Sequence, residues 1–179
     1  MREGNQQRRR SSLRPLLIIL AIPFGLLTVA LSLVVFPLYL LYTLLLYALV
    51  AILWLPRGKD VLFVYSNSPH WKEYIELNLV PRLRDRAIFM NWSERRQWRE
   101  FSLATACFRH FAGAREFNPL AVVFRPWQRA KVFRFFEAFR LLKHGAPSLL
   151  HQTESDLFEY LAAKRNREPR SGGIGKPGT

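Results

Sequence analysis

The chain has 179 residues, half of them apolar and 14% aromatic, with a formal net charge of +14 at pH 7 and one cysteine. That length holds one modest domain plus extras, and a lone Cys107 excludes an internal disulfide and argues against a cysteine-built zinc site. The basic excess suits anionic lipid headgroups beside a membrane, while the lack of any recognisable binding motif argues against nucleic acid.

Residues 1–14 form a basic tail with five arginines against Glu3. From Pro15 to Pro56 there follow 42 residues with no charged side chain and no histidine. One helical crossing of a bilayer takes ~20 residues, and a secretory signal has an apolar core of roughly 7–15. The segment 15–56 is therefore expected to stay in the membrane as a helical hairpin, transmembrane or re-entrant, broken near Phe36-Pro37 into Leu16–Val35 and Leu38–Leu55. Arg57 and Lys59 make the far end positive as well, and positive flanks mark the cytoplasmic side. Both termini and the domain are thus expected in the cytoplasm, at a plasma or inner membrane. A single long tilted helix is the disfavoured alternative, because 42 residues at 1.5 Å each reach about 63 Å.

The domain, 57–163, carries 17 basic against 11 acidic residues. Val61–Tyr65 is a continuous apolar run rich in β-formers, the pattern of a strand buried on both faces. Pro69–Val80 has helical spacing, with Ser68 as its cap and Pro81 at or just beyond its end. Ala87–Asn91 is the second strand, followed by a helix over Glu94–Phe108 that Ser93 caps. Pro119–Phe124 is the third strand and Trp127–Lys143 the longest helix, closed by Lys143, His144 and Gly145. Pro147–Gln152 reads as a short fourth strand, and Glu154–Ala163 as a last helix capped by Thr153. The tail 164–179 is basic and Gly/Pro-rich, a composition that predicts disorder. Alternating strands and helices predict an α/β domain, Rossmann-like or flavodoxin-like, with a three- or four-stranded parallel sheet.

In such sheets ligands bind outside the carboxyl ends of the strands. Four loops would then share one edge, presenting Ser66, Asn67 and His70; Asn91 and Glu94; Arg125 and Arg129; and His151. Glu94 and His70 are the acid/base candidates, and Arg125 and Arg129 are the candidates to hold an anion such as a phosphate-bearing small ligand. Each has a plainer role as well: Glu94 favours a helix start by charge alone, and His70 suits a solvated first turn. No G-x-G-x-x-G turn, G-x-x-x-x-G-K-S/T loop, G-x-S-x-G elbow or H-E-x-x-H pair occurs. No cofactor and no metal is expected.

The stretch DVLFVYSNSPHWKEYIE, Asp60 to Glu76, resembles the opening of Toll/interleukin-receptor domains, where a strand ends in Ser-Tyr-Ser before the first helix. The resemblance covers under a fifth of the chain and implies a shared strand-to-helix fold pattern. Glu94 lies directly after the second strand, out of the context of the catalytic glutamate in the enzymatic members. The sequence alone thus favours a membrane-anchored cytoplasmic α/β module that binds a partner or an anionic ligand. An enzyme acting on a phosphorylated or nucleotide-like substrate is the first alternative, and an accessory subunit beside a membrane-protein partner the second.

Overall fold

The computed structural model describes the backbone of residues 3–113 and 118–165, and side chains over 23–113 and 118–163. The disorder expected of the tail falls, beyond residue 165, outside the described residues. The chain parts into two compact units between Tyr47 and Ala48.

The first unit is the body of α1 (Glu3–Leu53), one uninterrupted helix. The break expected at Phe36-Pro37 is not there. Proline removes only one donor and disfavours, without forbidding, helix at the residue before it, and the apolar residues on either side sustain the helix. Within Pro23 to Arg57 the most apolar 18-residue window has a mean hydropathy of 2.3. Phe24, Leu33 and Phe36 are each at least 61% exposed, so apolar side chains surround the helix instead of forming one stripe. Its three serine and threonine hydroxyls in this stretch turn inward to the helix's own carbonyls: Thr28 Oγ1 to Gly25 O, Ser32 Oγ to Thr28 O, and Thr43 Oγ1 to Tyr39 O, at 2.7–2.8 Å.

In the second unit a 3-10 turn (Leu55–Arg57) and Gly58, in a left-handed conformation (φ 72°), lead into the sheet. Four strands, β1 (Val61–Tyr65), β2 (Ala87–Asn91), β3 (Leu120–Val123) and β4 (Lys131–Arg134), lie in the order β2-β1-β3-β4. β1 pairs with β2 in parallel, from Val61 opposite Ala87 to Tyr65 opposite Asn91. β3 is antiparallel to both β1 and β4. The sheet is therefore mixed, not the parallel Rossmann-like or flavodoxin-like sheet expected. The loop from Phe124 to Ala130 is too short for the crossover that a parallel partner requires, so β3 and β4 form a hairpin.

The hairpin also corrects the long helix expected over Trp127–Lys143. Its first part is β4, where Lys131 and Arg134 are exposed and Phe133 is buried. Only Phe136–Lys143 is helical (α5), and it ends as expected at His144 and a left-handed Gly145. The expected fourth strand, Pro147–Gln152, is instead the start of α6 (Ser148–Arg165). Pro147 O accepts from the amides of Leu150 and His151, so this proline is a helix-start signal. Thr153 is consequently mid-helix, its hydroxyl bonded back to Leu149 O at 2.8 Å, and caps nothing.

The helix expected over Pro69–Val80 begins later and runs further. α2 (Lys72–Tyr74), a π-helical stretch (Ile75–Leu79) and α3 (Val80–Leu83) follow one another directly, and Pro81 sits inside α3. Glu94–Phe108 divides into a 3-10 stretch (Trp92–Gln97) and α4 (Leu103–Phe111), which Ser102 caps by accepting from Thr105 N at 3.1 Å.

Both faces of the sheet are covered, which is why β1 and β3 are apolar throughout. On one face Val61, Phe63, Ala121, Val123 and Phe133 pack with Ile75, Leu79 and Leu83, and with Phe139, Leu150, Leu157 and Leu161 of α5 and α6. On the other, Phe124 meets the rings of Trp54 and Phe111 edge-on at 5.8 and 5.2 Å. Cys107 is fully buried in α4, and burial pushes its thiol up to about 12. Because the thiolate is the nucleophile, Cys107 is expected to resist iodoacetamide at pH 8 in the folded chain and to react fully once the chain is denatured. Labelling within minutes under native conditions would contradict the packing of α4.

Candidate functional site

The parallel pairing of β1 with β2 brings two of the four expected loops together at one edge. Asn91, the last residue of β2, is the centre of the cluster. Its Nδ2 donates to Asn67 Oδ1 at 3.1 Å and to Glu94 Oε1 at 2.8 Å, while its Oδ1 accepts from Ser93 N at 3.1 Å. Asn91, not Ser93, thus caps the 3-10 stretch. Ser93 Oγ accepts from Asn67 N at 2.9 Å, tying the two loops directly. Ser66 Oγ accepts from the Trp71 indole at 3.2 Å, and Asn91 O from the Trp98 indole at 3.1 Å.

Ser68 turns the chain by accepting from His70 N at 3.4 Å, but the helix starts only at Lys72, with Trp71 as its cap residue. His70 is exposed, and among the described residues no hydrogen bond or ion pair joins its ring to Glu94. A cleft of about 320 Å3 opens beside the cluster, lined by Phe89, Met90, Asn91, Glu94, Trp98 and Arg99 among others. The Tyr65 hydroxyl, held neutral first by burial and then by Glu76 and Glu94, is raised above its ordinary value.

The other two expected loops are elsewhere. Because β3 runs antiparallel to β1, Val123 pairs with Val61 at the beginning of β1. Arg125 and Arg129 therefore lie at the opposite edge from Asn91 and Glu94. Arg125 is already committed: its guanidinium stacks 3.5 Å from the centre of the Tyr160 ring and donates to Tyr160 O. Lys131 Nζ reaches the same ring at 4.5 Å, and the Tyr160 hydroxyl donates to Gln128 Oε1 at 3.4 Å. Arg129 is exposed in the hairpin loop. His151 is exposed in the first turns of α6, at no strand end.

This arrangement does not bring the four loops to one shared edge. The two loops at the β1–β2 edge use their amides and hydroxyls to hold each other, and they present one carboxylate, Glu94, toward a cleft lined also by Phe89, Trp98 and Arg99. The guanidiniums that were to hold an anion stand across the sheet. Among the described residues no group of three or more His, Cys, Asp or Glu side chains is placed to hold a metal.

Sequence reasoning missed three features. Trp98, inside the helix expected over Glu94–Phe108, is a loop residue that latches onto Asn91 O. Tyr160 receives two cations from the hairpin. Asp60, just before β1, is 1% exposed and accepts from Arg86 Nε at 3.1 Å and Nη2 at 2.6 Å. An acid directly before an apolar run was the available signal for this last pair; nothing in the spacing pointed to Arg86. Comparison with models of protein families, with curated proteins and with solved structures finds no match, so the function is read from this geometry alone.

Proposed function

We propose that the protein is a membrane-anchored, non-catalytic module whose α/β domain lies on the cytoplasmic side and holds a protein partner close to the bilayer. The observation that carries this reading is the surface of α1. It is apolar on every side, only 6% of its most apolar window is buried, and its serine and threonine hydroxyls are satisfied within the helix. A helix whose backbone and small hydroxyls are satisfied internally is what the hydrocarbon of a bilayer demands.

The sidedness rests on charge. Arginines precede the apolar run, and Arg57, Lys59 and a basic domain follow it, so both flanks suit the cytoplasmic face. A return to the same face would require α1, continuous in this structure, to hinge within the bilayer, and Pro37, which offers no backbone donor, lies near the middle of the uncharged run 15–56.

A protein partner is favoured over a small anionic ligand by the β1–β2 edge. The cleft there sets the rings of Phe89 and Trp98 beside both a carboxylate, Glu94, and a guanidinium, Arg99, and the neighbouring loop holds Phe101 fully exposed (101%) beside a second hollow lined by Arg99, Glu100 and Ser102. An apolar ring held in water beside mixed charges suits a protein surface better than a phosphate.

Membrane extraction and topology test the proposal together. The full chain is expected to stay in the pellet through alkaline carbonate and high salt and to enter solution only with detergent. Reporters fused before Arg2 and after Ala163 are both expected to be active on the cytoplasmic side. Release by carbonate would overturn the anchor, and reporters on opposite sides would overturn the shared cytoplasmic placement.

A further inference from the structure

We infer that the tip of the β3–β4 hairpin, Arg125 to Ala130, is a second membrane contact that docks the domain onto an anionic bilayer surface; this rests on the reading of α1 as a membrane anchor. Trp127 is fully exposed (104%) and has φ 60°. Among the described residues it is the only one other than glycine with a positive φ. A bulky residue in that region is strained, and an indole in water forgoes its burial. Both costs fall on one side chain, which buries nothing within its own domain.

The position of the hairpin supplies the occupant. Trp54, the residue after α1, packs edge-on against Phe124, and Phe124 N donates to Asp60 O at 2.8 Å. The hairpin therefore starts at the end of its own unit where the apolar run of the sequence stops, and Trp127 is three residues further. Its charge is of one sign: Arg125 and Arg129 lie in the tip and Lys131 directly follows it, with no acidic residue from Phe124 to Lys131. Tryptophan belongs at the headgroup level of a bilayer, and basic side chains there are drawn to anionic lipid. The mount is firm, since Tyr160 of α6 is gripped by both Arg125 and Lys131. A rigid loop loses little conformational freedom on docking.

The test uses the full chain reconstituted into vesicles of phosphatidylcholine with and without phosphatidylserine, bearing an environment-sensitive fluorophore at Gln128→Cys. Cys107 is buried, so the new thiol is the one that labels. Flotation reports the anchor, and the fluorophore reports the hairpin. With phosphatidylserine the emission is expected to shift to the blue and to be quenched by headgroup-level nitroxide lipid. Trp127→Ala should return it to its value in water while the chain still floats. Arg129→Ala should lower the ratio of docked to free hairpin about fivefold, the effect of one basic residue at a charged surface. A floating chain whose label stays in water overturns the inference and leaves the anchor standing. Equal shielding in pure phosphatidylcholine overturns the role of anionic lipid, and a chain that does not float overturns both readings.

Discussion

Replacing Phe63 by alanine is expected to lower the unfolding free energy by about 4 kcal/mol, the usual cost of deleting a large aromatic from a packed core. Phe63 is fully buried in β1, the strand flanked by β2 and β3, and its ring lies 6.0–6.1 Å from those of Tyr65, Phe89 and Phe135. The three neighbouring rings sit on two different strands and the residue preceding α5. The cavity left behind would be lined by groups that cannot all move inward together, so collapse would recover little. Denaturation of the full chain in mild detergent, followed by near-ultraviolet circular dichroism, gives the measurement. Phe101→Ala is the control: that ring is fully exposed, and its removal should change stability by less than about 0.5 kcal/mol. Equal losses in the two variants would mean that Phe63 does not occupy the core.

The second large effect is expected at Arg86. Arg86→Ala should cost about 3 kcal/mol, because it withdraws the guanidinium from a carboxylate that has no route to water. The Asp60 side chain is 2% exposed and that of Arg86 34%, so the charge left behind is the buried one. The pair is bidentate, and the third nitrogen, Nη1, donates to Leu161 O at 3.3 Å. Arg86 thus joins the start of β1, the entry to β2 and the end of α6. Lysine cannot reproduce that fork, so Arg86→Lys should recover less than half of the loss. The informative variant is the double one: adding Asp60→Asn to Arg86→Ala removes the uncompensated charge and should restore part of the stability. A double variant weaker than Arg86→Ala by the full cost of a second deletion would refute the pairing.

These two sites show what could be read along the chain. Phe63 was legible: VLFVY is continuous, β-branched and aromatic, and a run of that kind is stable only with both faces covered. Arg86 was not, because an ion pair between residues 26 apart depends on which strands become neighbours. The same division holds for the candidate site. Asn67, Asn91 and Glu94 come together because β1 and β2 are parallel, as the strand–helix–strand pattern suggested. Arg125, Arg129 and His151 do not join them, because that pattern fails in the second half of the domain. Phe133, Phe135, Phe136 and Phe139 fit a helical stripe about as well as a strand followed by a helix. Short apolar segments do not settle their own period; the hairpin pairing does. Trp98 and Tyr160 were missed for a related reason, since an aromatic residue advertises burial but not which backbone group or cation it will meet.

What the sequence determined by itself is what depends on composition and near neighbours. The apolar length of α1, the buried strands β1 to β3, the close of α5 at Gly145 and the basic flanks all follow from runs of residues whose solvation has one acceptable outcome. What only the tertiary structure decided is direction and register. Whether β3 lies parallel or antiparallel to β1 turns on the path of the chain around the sheet, and each choice leaves the same residues buried. That choice placed Arg125 and Trp127 at the edge where the apolar helix ends and left Asn91 and Glu94 at the other, and so it separated the surface proposed to meet lipid from the one proposed to meet a partner.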